Sequence, residues 1–308
     1  MNNLTIVMYH YVRDIKESEY PKIKGLETTG FVRQLDYLID NFNIIKAEDV
    51  IDCVKQGKKL PERSCLLTFD DGYKDHLTKV LPELLKRNIQ GSFFLPAKCI
   101  LEREMLDVNK IHFILACANN YTKLGKDLDS LCIEYGISSE LLAAYKIKFA
   151  LPFRYDNSEV MYVKNLLQHA LDKSIRKAIT SRLFQIYVKK SEIDFAEELY
   201  LSFADAKTLI KNGMYVGSHG YSHLWLDKES FESQSIEIDA SLKFLSDIGS
   251  KTKDWIMCYP YGAYNFDTLA ILKDQKCAVG LTTKVGIATI SQDNALELSR
   301  YDTNDFPQ

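Results

Sequence analysis

Nowhere along the 308 residues does an apolar run approach the roughly 18 residues that a membrane-spanning helix needs. A helical membrane span is therefore excluded. Excess positive charge is also lacking: 39 basic side chains stand against 42 acidic ones, a net charge of −3, so nothing in bulk electrostatics draws the chain to nucleic acid. The seven cysteines are scattered, odd in number and never in a C-x-x-C pair, which argues against both a disulfide framework and a thiolate zinc site. Residues Met1–Met8 lack a basic start followed by a long apolar stretch, so a cytoplasmic location is expected. No repeat of 20–50 residues and no low-complexity tract is present.

What is present is an ordinary globular composition, 46% hydrophobic and 26% charged, in a chain long enough for one large α/β domain or a domain with an insertion. Leu4 to Tyr9 reads as a buried strand, followed by helical spacing at Phe31, Leu35, Leu38, Ile39 and Phe42. Ser64–Phe69 is a second strand, Tyr73–Arg87 a helix and Gly91–Leu95 a third strand. Strands separated by helices imply a parallel sheet. From Lys98 to Ala206 the apolar positions recur at three and four residues, which predicts a helical segment inserted into the α/β pattern. Short strand-like runs then resume at Met214–Val216, Trp255–Cys258 and Ala278–Leu281, with helices expected over Phe231–Leu245 and Phe266–Lys273. The expected division is 1–97 with 207–308 as the α/β part, and 98–206 as a helical insertion.

Three strand exits carry chemistry. Thr68-Phe69-Asp70-Asp71-Gly72 sets two adjacent carboxylates where a strand ends, the edge at which α/β folds assemble their sites. A plain helix cap by either Asp is the competing reading. Gly217-Ser218-His219-Gly220-Tyr221-Ser222-His223 places two imidazoles four residues apart, a spacing that lets both rings reach one metal. Two His and one carboxylate, with positions left open to water, is a catalytic zinc arrangement; ferrous iron suits the same donors. Cys258-Tyr259-Pro260-Tyr261-Gly262 is an aromatic turn that could stack on a sugar ring and offer a backbone N–H to an oxyanion, or be only a turn.

In the order TFDDG, HGYSH and YPYG, these segments resemble the motifs of polysaccharide deacetylases of carbohydrate esterase family 4. The resemblance covers about residues 1–97 and 207–305. It implies an irregular (β/α) barrel, metal-dependent removal of acetyl groups from N-acetylated sugars, and a carbohydrate substrate. It implies nothing for the insertion, which could lid the cleft or join two copies as a homo-oligomer. By the same resemblance Asp70 is the general base, Asp71, His219 and His223 hold the metal (Zn2+, with Fe2+, Co2+ or Ni2+ as alternatives), and the Tyr261 backbone N–H binds the oxyanion. A carboxylate bound to a cation is a poor base, so the adjacent acids must divide the work.

The sequence departs from the family pattern twice. Cys258 stands where an arginine usually steadies the base, which makes Arg300, with Arg13 as the other candidate, the expected substitute. No histidine follows His223, where the family usually keeps its acid. His10, just after the first strand, matches the branch of bacterial poly-N-acetylglucosamine deacetylases whose acid histidine is N-terminal. His76 is the reserve, and His112 and His169 fall in the insertion. The implied reaction is attack by a water on the metal, deprotonated by Asp70, with His10 protonating the departing amine. Tyr9, Tyr11, Tyr73, Tyr221, Trp225, Tyr259, Tyr261 and Tyr264 are expected near the sugar. A cytoplasmic chain would act on a nucleotide-linked, lipid-linked or oligosaccharide precursor of a surface glycan. The competing functions are hydrolysis of a non-sugar amide or imide on the same scaffold, an inactive glycan-binding homologue, and zinc that merely braces loops.

Overall fold

The computed structural model describes residues 2–152, 156–291 and 294–307. The chain forms two compact units: Met1–Asp14, Gly25–Arg103 and Glu197–Gln308 make one, and Ile15–Lys24 with Glu104–Ala196 make the other. Among the described residues no helix is long and apolar enough to cross a membrane.

The first unit is built on six strands: β1 (Asn2–Tyr9), β2 (Ser64–Phe69), β3 (Ser92–Leu95), β4 (Tyr215–Ser218), β5 (Trp255–Cys258) and β6 (Cys277–Leu281). They pair in chain order and all run parallel. Ala288–Ile290 pairs antiparallel with β1, and Tyr301–Asp302 pairs parallel with it. Because Leu298 also bridges Leu281, the segment after β6 touches both end strands and curls the sheet toward closure. This is the irregular α/β barrel expected from the sequence. The C-terminal closing strands were not foreseen, since two or three residues are too few for a periodic signal.

Every residue of β2 to β5 is buried, which is why these strands read as apolar runs and not as alternation. Alternate residues nevertheless go to different layers. Val7, Tyr9, Leu67, Phe69, Phe93 and Leu95 pack with Phe31, Leu35, Leu84 and Leu209 of the covering helices. Leu4, Ile6, Leu66 and Phe94 pack instead with Val50, Ile51, Val54 and Ile256. Asp70 shares the parity of Leu66 and Thr68, so it continues into the second layer, where Cys258 also lies.

The helix expected over Tyr73–Arg87 is instead a wide π-type turn, His76–Val80, followed by a helix over Leu81–Lys86. Pro82 supplies the reason. Its ring cannot donate and clashes with the carbonyl four residues back, so the chain widens and Leu81 N–H bonds the His76 carbonyl.

The second unit is helical, with helices over Asp107–Cys117, Tyr121–Glu134, Ser139–Phe149, Ser158–Asn165 and Lys173–Tyr187. Asn120, Ser138 and Asn157 cap three of them through side-chain oxygens. Ile15–Lys24 joins this unit because Tyr20 packs edge-on against Phe113 and Phe195. Lys110 is fully buried and its ammonium is met by Asp107, Glu192 and Ser181. Residues 153–155, within the expected insertion, lie outside the described residues.

Gly217, one step before the Ser218-His219 exit of β4, has no room for a side chain. A Cβ there would lie 2.6 Å from the Phe94 ring and 2.8 Å from the Ile256 carbonyl oxygen. Gly217→Ala should therefore cost about 1–3 kcal/mol through overpacking. Urea unfolding checks this, and a loss under about 0.5 kcal/mol, the range of an ordinary surface change, would contradict it.

Candidate metal centre and active site

The parallel strands bring their exits to one edge. Tyr9 is in register with Phe69, and Phe69 with Phe93; Leu95 pairs with Ser218, and Ser218 with Met257. His10, Asp70 and His219 each follow one of these strand ends directly, and Asp71 comes one residue later. Asp70 N–H bonds the Tyr9 carbonyl and His219 N–H bonds the Leu95 carbonyl, so the backbone itself fixes both exits.

Three donor atoms converge there. Asp71 Oδ1 lies 3.3 Å from His219 Nε2 and 3.4 Å from His223 Nε2, and the two nitrogens are 3.2 Å apart. All three side chains are buried. His219 Nδ1 sits 2.8 Å from the Cys258 carbonyl, which only an N–H can satisfy, so Nε2 is the ring atom left to face the cluster. Nitrogen lone pairs facing each other at this distance repel unless a proton or cation lies between them. A tetrahedral zinc site with bonds of about 2.0–2.1 Å has ligand-to-ligand edges of about 3.3–3.4 Å. The triangle of 3.2–3.4 Å fits one face of such a site. Asp71 Oδ1 is also a buried oxygen with no hydrogen-bond partner. The donor set, its spacing and the orphaned oxygen all fit a divalent cation.

Asp70 is held differently. Its Oδ1 accepts from Arg300 NH1 at 3.0 Å and its Oδ2 is paired with Arg300 NH2 at 2.9 Å, a two-pronged ion pair. Arg300 is itself fixed by Nε donating to the Thr282 carbonyl and NH1 to Thr68 Oγ1. Burial pushes the Asp70 carboxyl up, but Arg300, with His219 and His10, more than offsets this and leaves it below the ordinary range. Asp71 is likewise pushed up by burial and then held well below its usual range by His219 and His223. Cys258, whose thiol is pushed up by burial, places Sγ 3.4 Å from Asp70 Oδ2 and remains a neutral donor. Asp70, His219 and Cys258 also form a compact set of metal-ligating residue types. That set suits a cation poorly, because Arg300 already neutralises its carboxylate and its sulfur is a protonated thiol.

His10 is half-buried at the rim, and its imidazole is among the groups that lower Asp70 and Asp71. His76 is completely buried, with Nε2 2.9 Å from the His10 carbonyl, and burial lowers its pKa to about 4. It braces the His10 backbone and does not face the cleft as a reserve acid would. Arg13 is committed to Asp75 at 2.5 Å, leaving Arg300 as the arginine on Asp70.

Tyr261 lies between the rings of Trp225, stacked at 4.1 Å and 6°, and His223, edge-on at 4.6 Å. Asp71 (φ 72°), His223 (57°) and Tyr261 (59°) are all non-glycine residues in the left-handed region, so backbone strain gathers in this cluster. The aromatic expectation needs correction at half its positions. Tyr9, Tyr11, Tyr73 and Tyr259 are buried packing residues: Tyr9 stacks on Phe69, Tyr11 on Tyr73, and the Tyr259 hydroxyl bonds the Leu296 carbonyl. Tyr221, Trp225, Tyr261 and Tyr264 retain exposure. Sequence reasoning missed Glu237, a buried carboxylate on the helix Phe231–Ile248 that accepts the Ser222 N–H and steadies the loop between the histidines. Nothing in the sequence marks it, since an acid on a helix is normally solvated.

Fold and site together define a (β/α) barrel protein with a carboxylate–imidazole cluster that could hold a metal at the carboxyl edge of its sheet. Among known proteins, residues 186–280 match the family model for polysaccharide deacetylase. The poly-beta-1,6-N-acetyl-D-glucosamine N-deacetylase of Escherichia coli (strain K12) is 30% identical over 84 residues, which are 27% of this chain and 12% of that protein. The match thus spans about an eighth of the relative's length. Among solved structures, Streptococcus pyogenes deacetylase PplD in complex with acetate covers 97% of this chain and 92% of its own, at TM-score 0.59 and 18% identity. IcaB from Ammonifex degensii covers 98% and 92%, at 0.57 and 17%. These two likenesses establish the fold.

Removing one member of a buried ion pair strands the other charge, so Arg300→Met should destabilise the metal-free protein by about 3–5 kcal/mol. The double variant Asp70→Asn/Arg300→Met should recover part of that loss in urea unfolding. Additive losses in the double variant would contradict the coupling.

Proposed function

We propose that this protein is a metal-dependent carbohydrate de-N-acetylase, which hydrolyses the acetamide of an N-acetylated amino sugar to acetate and a free amine. The observation that carries the reading is the Asp71–His219–His223 triangle beside an Asp70 carboxylate that Arg300 holds separately. A bound divalent cation, Zn2+ by its nitrogen and oxygen donors, would polarise the acetyl carbonyl and lower the pKa of water.

The chain's own residues do the rest. Asp70, kept ionised and oriented by its two-pronged pair, takes a proton from water as its oxygen bonds to the acetyl carbon. The Tyr261 N–H donates to the carbonyl oxygen as negative charge develops there. His10, braced through its carbonyl by His76, delivers a proton to the sugar nitrogen as the C–N bond breaks; nitrogen is a poor leaving group until it is protonated. The exposed edge of the Trp225–Tyr261 stack offers an apolar face to a pyranose ring. The name of the E. coli relative favours a substrate containing N-acetylglucosamine, and the expected precursor of a surface glycan is one such molecule.

Asp70→Asn should retain stoichiometric zinc while acetate release from N-acetylglucosamine oligomers falls by about 10² to 10⁴. His219→Ala and His223→Ala should lose the metal as well, as read by elemental analysis; full activity in either would refute the ligand assignment. His10→Ala should slow amide hydrolysis far more than hydrolysis of an activated acetyl ester, whose leaving group needs no proton. Equal losses on both substrates would remove His10 from the acid role. Metal-dependent release of acetate separates this reading from an inactive glycan binder.

A further inference from the structure

The two oxygens of Asp71 have different partners. Oδ1 faces the two imidazole nitrogens, whereas Oδ2 accepts a 2.5 Å hydrogen bond from the Tyr73 hydroxyl. Tyr73 is fully buried. Its ring stacks on Tyr11 at 4.2 Å and 20° and runs parallel to Tyr200 at 6.1 Å, so the hydroxyl is delivered by a ring that cannot swing. The backbone adds a further restraint: Tyr73 and Tyr200 form an antiparallel bridge, and Leu201 N–H bonds the Gly72 carbonyl.

A carboxylate at this position has two ways to bind a cation, through one oxygen or through both, and rotation about its last torsion interconverts them. Asp71 also sits at φ 72°, a left-handed backbone that residues other than glycine adopt infrequently. We propose that Tyr73 is a positioning residue that ties off Oδ2, so that Asp71 meets the metal through Oδ1 alone and the remaining coordination positions stay open. The inference rests on reading Asp71, His219 and His223 as the ligands. It goes beyond that reading by adding a fourth residue that touches neither metal nor substrate. The same logic operates on His219, whose Nδ1–H is held by the Cys258 carbonyl; each of these two ligands is thus fixed through the atom it turns away from the cluster.

The test is Tyr73→Phe, which removes one oxygen and keeps the stacked ring. Zinc affinity, measured by competition with a chromophoric chelator, should fall about 10- to 100-fold, the usual cost of losing such an outer partner. The visible spectrum of the cobalt-substituted variant should also lose intensity, as expected when a second carboxylate oxygen enters the coordination sphere. A merely structural hydroxyl would lower stability without changing that spectrum. If the metal-free variant is too unstable to titrate, the zinc concentration that half-restores folding reads the same difference, with wild type in urea adjusted to equal metal-free unfolding. Unchanged affinity and spectrum in Tyr73→Phe, with wild type binding one zinc, would overturn the role of Tyr73. A wild type that binds no zinc would overturn the ligand reading itself, and the inference with it.

Discussion

Two carboxylates adjacent in sequence and both buried can remain ionised only if each has its own cation, and the site is organised around that constraint. Asp70 is given a guanidinium from the far end of the chain, Arg300, which is as buried as the carboxylate it meets. Asp71 is turned the other way, toward two imidazoles and the space between them. An extended chain would send consecutive side chains to opposite faces, and the left-handed backbone at Asp71 departs from that course where the strand ends. The strain is sustained because the surrounding hydrogen bonds over-determine it, from Tyr73 on the Asp71 side chain to Leu201 on the Gly72 carbonyl.

The division of charge also explains how Cys258 can occupy a position where the resembled family keeps an arginine. The guanidinium enters instead from the segment that pairs with β1 and touches β6, so the closing strand of the sheet and the partner of Asp70 are one structural feature. A small neutral thiol then suits the space beside an already neutralised carboxylate. Loss of the closing segment would cost the site its charge balance as well as the sheet its last contacts.

Much of this was legible in the sequence because buried parallel strands announce themselves. Ser64–Phe69 and Trp255–Cys258 have the same limits in the sequence reading and in the structure, and the motifs that follow them therefore fell at the correct edge. His219 and His223 could be paired from spacing alone, and the structure brings their Nε2 atoms to the same oxygen of Asp71. Arg300 could be named but not ranked firmly above Arg13, because the choice depends on a closing strand only two residues long. The tyrosines divided by burial, which a single sequence cannot report: Tyr73 and Tyr261 look alike in composition, yet one is enclosed beneath Asp71 and the other lies against Trp225. Ile15–Lys24 was likewise invisible as part of the helical unit, since its membership rests on Tyr20 meeting rings about a hundred residues away or more.

The central claim is that one divalent cation is held by Asp71, His219 and His223, leaving Asp70 and Cys258 uncoordinated. X-ray absorption at the zinc edge of the metal-loaded protein tests it most directly. The account predicts a shell of nitrogen and oxygen at about 2.0–2.2 Å, with outer-shell scattering from two imidazole rings. A sulfur scatterer at about 2.3 Å, or a shell without imidazole, would place the metal elsewhere and contradict it.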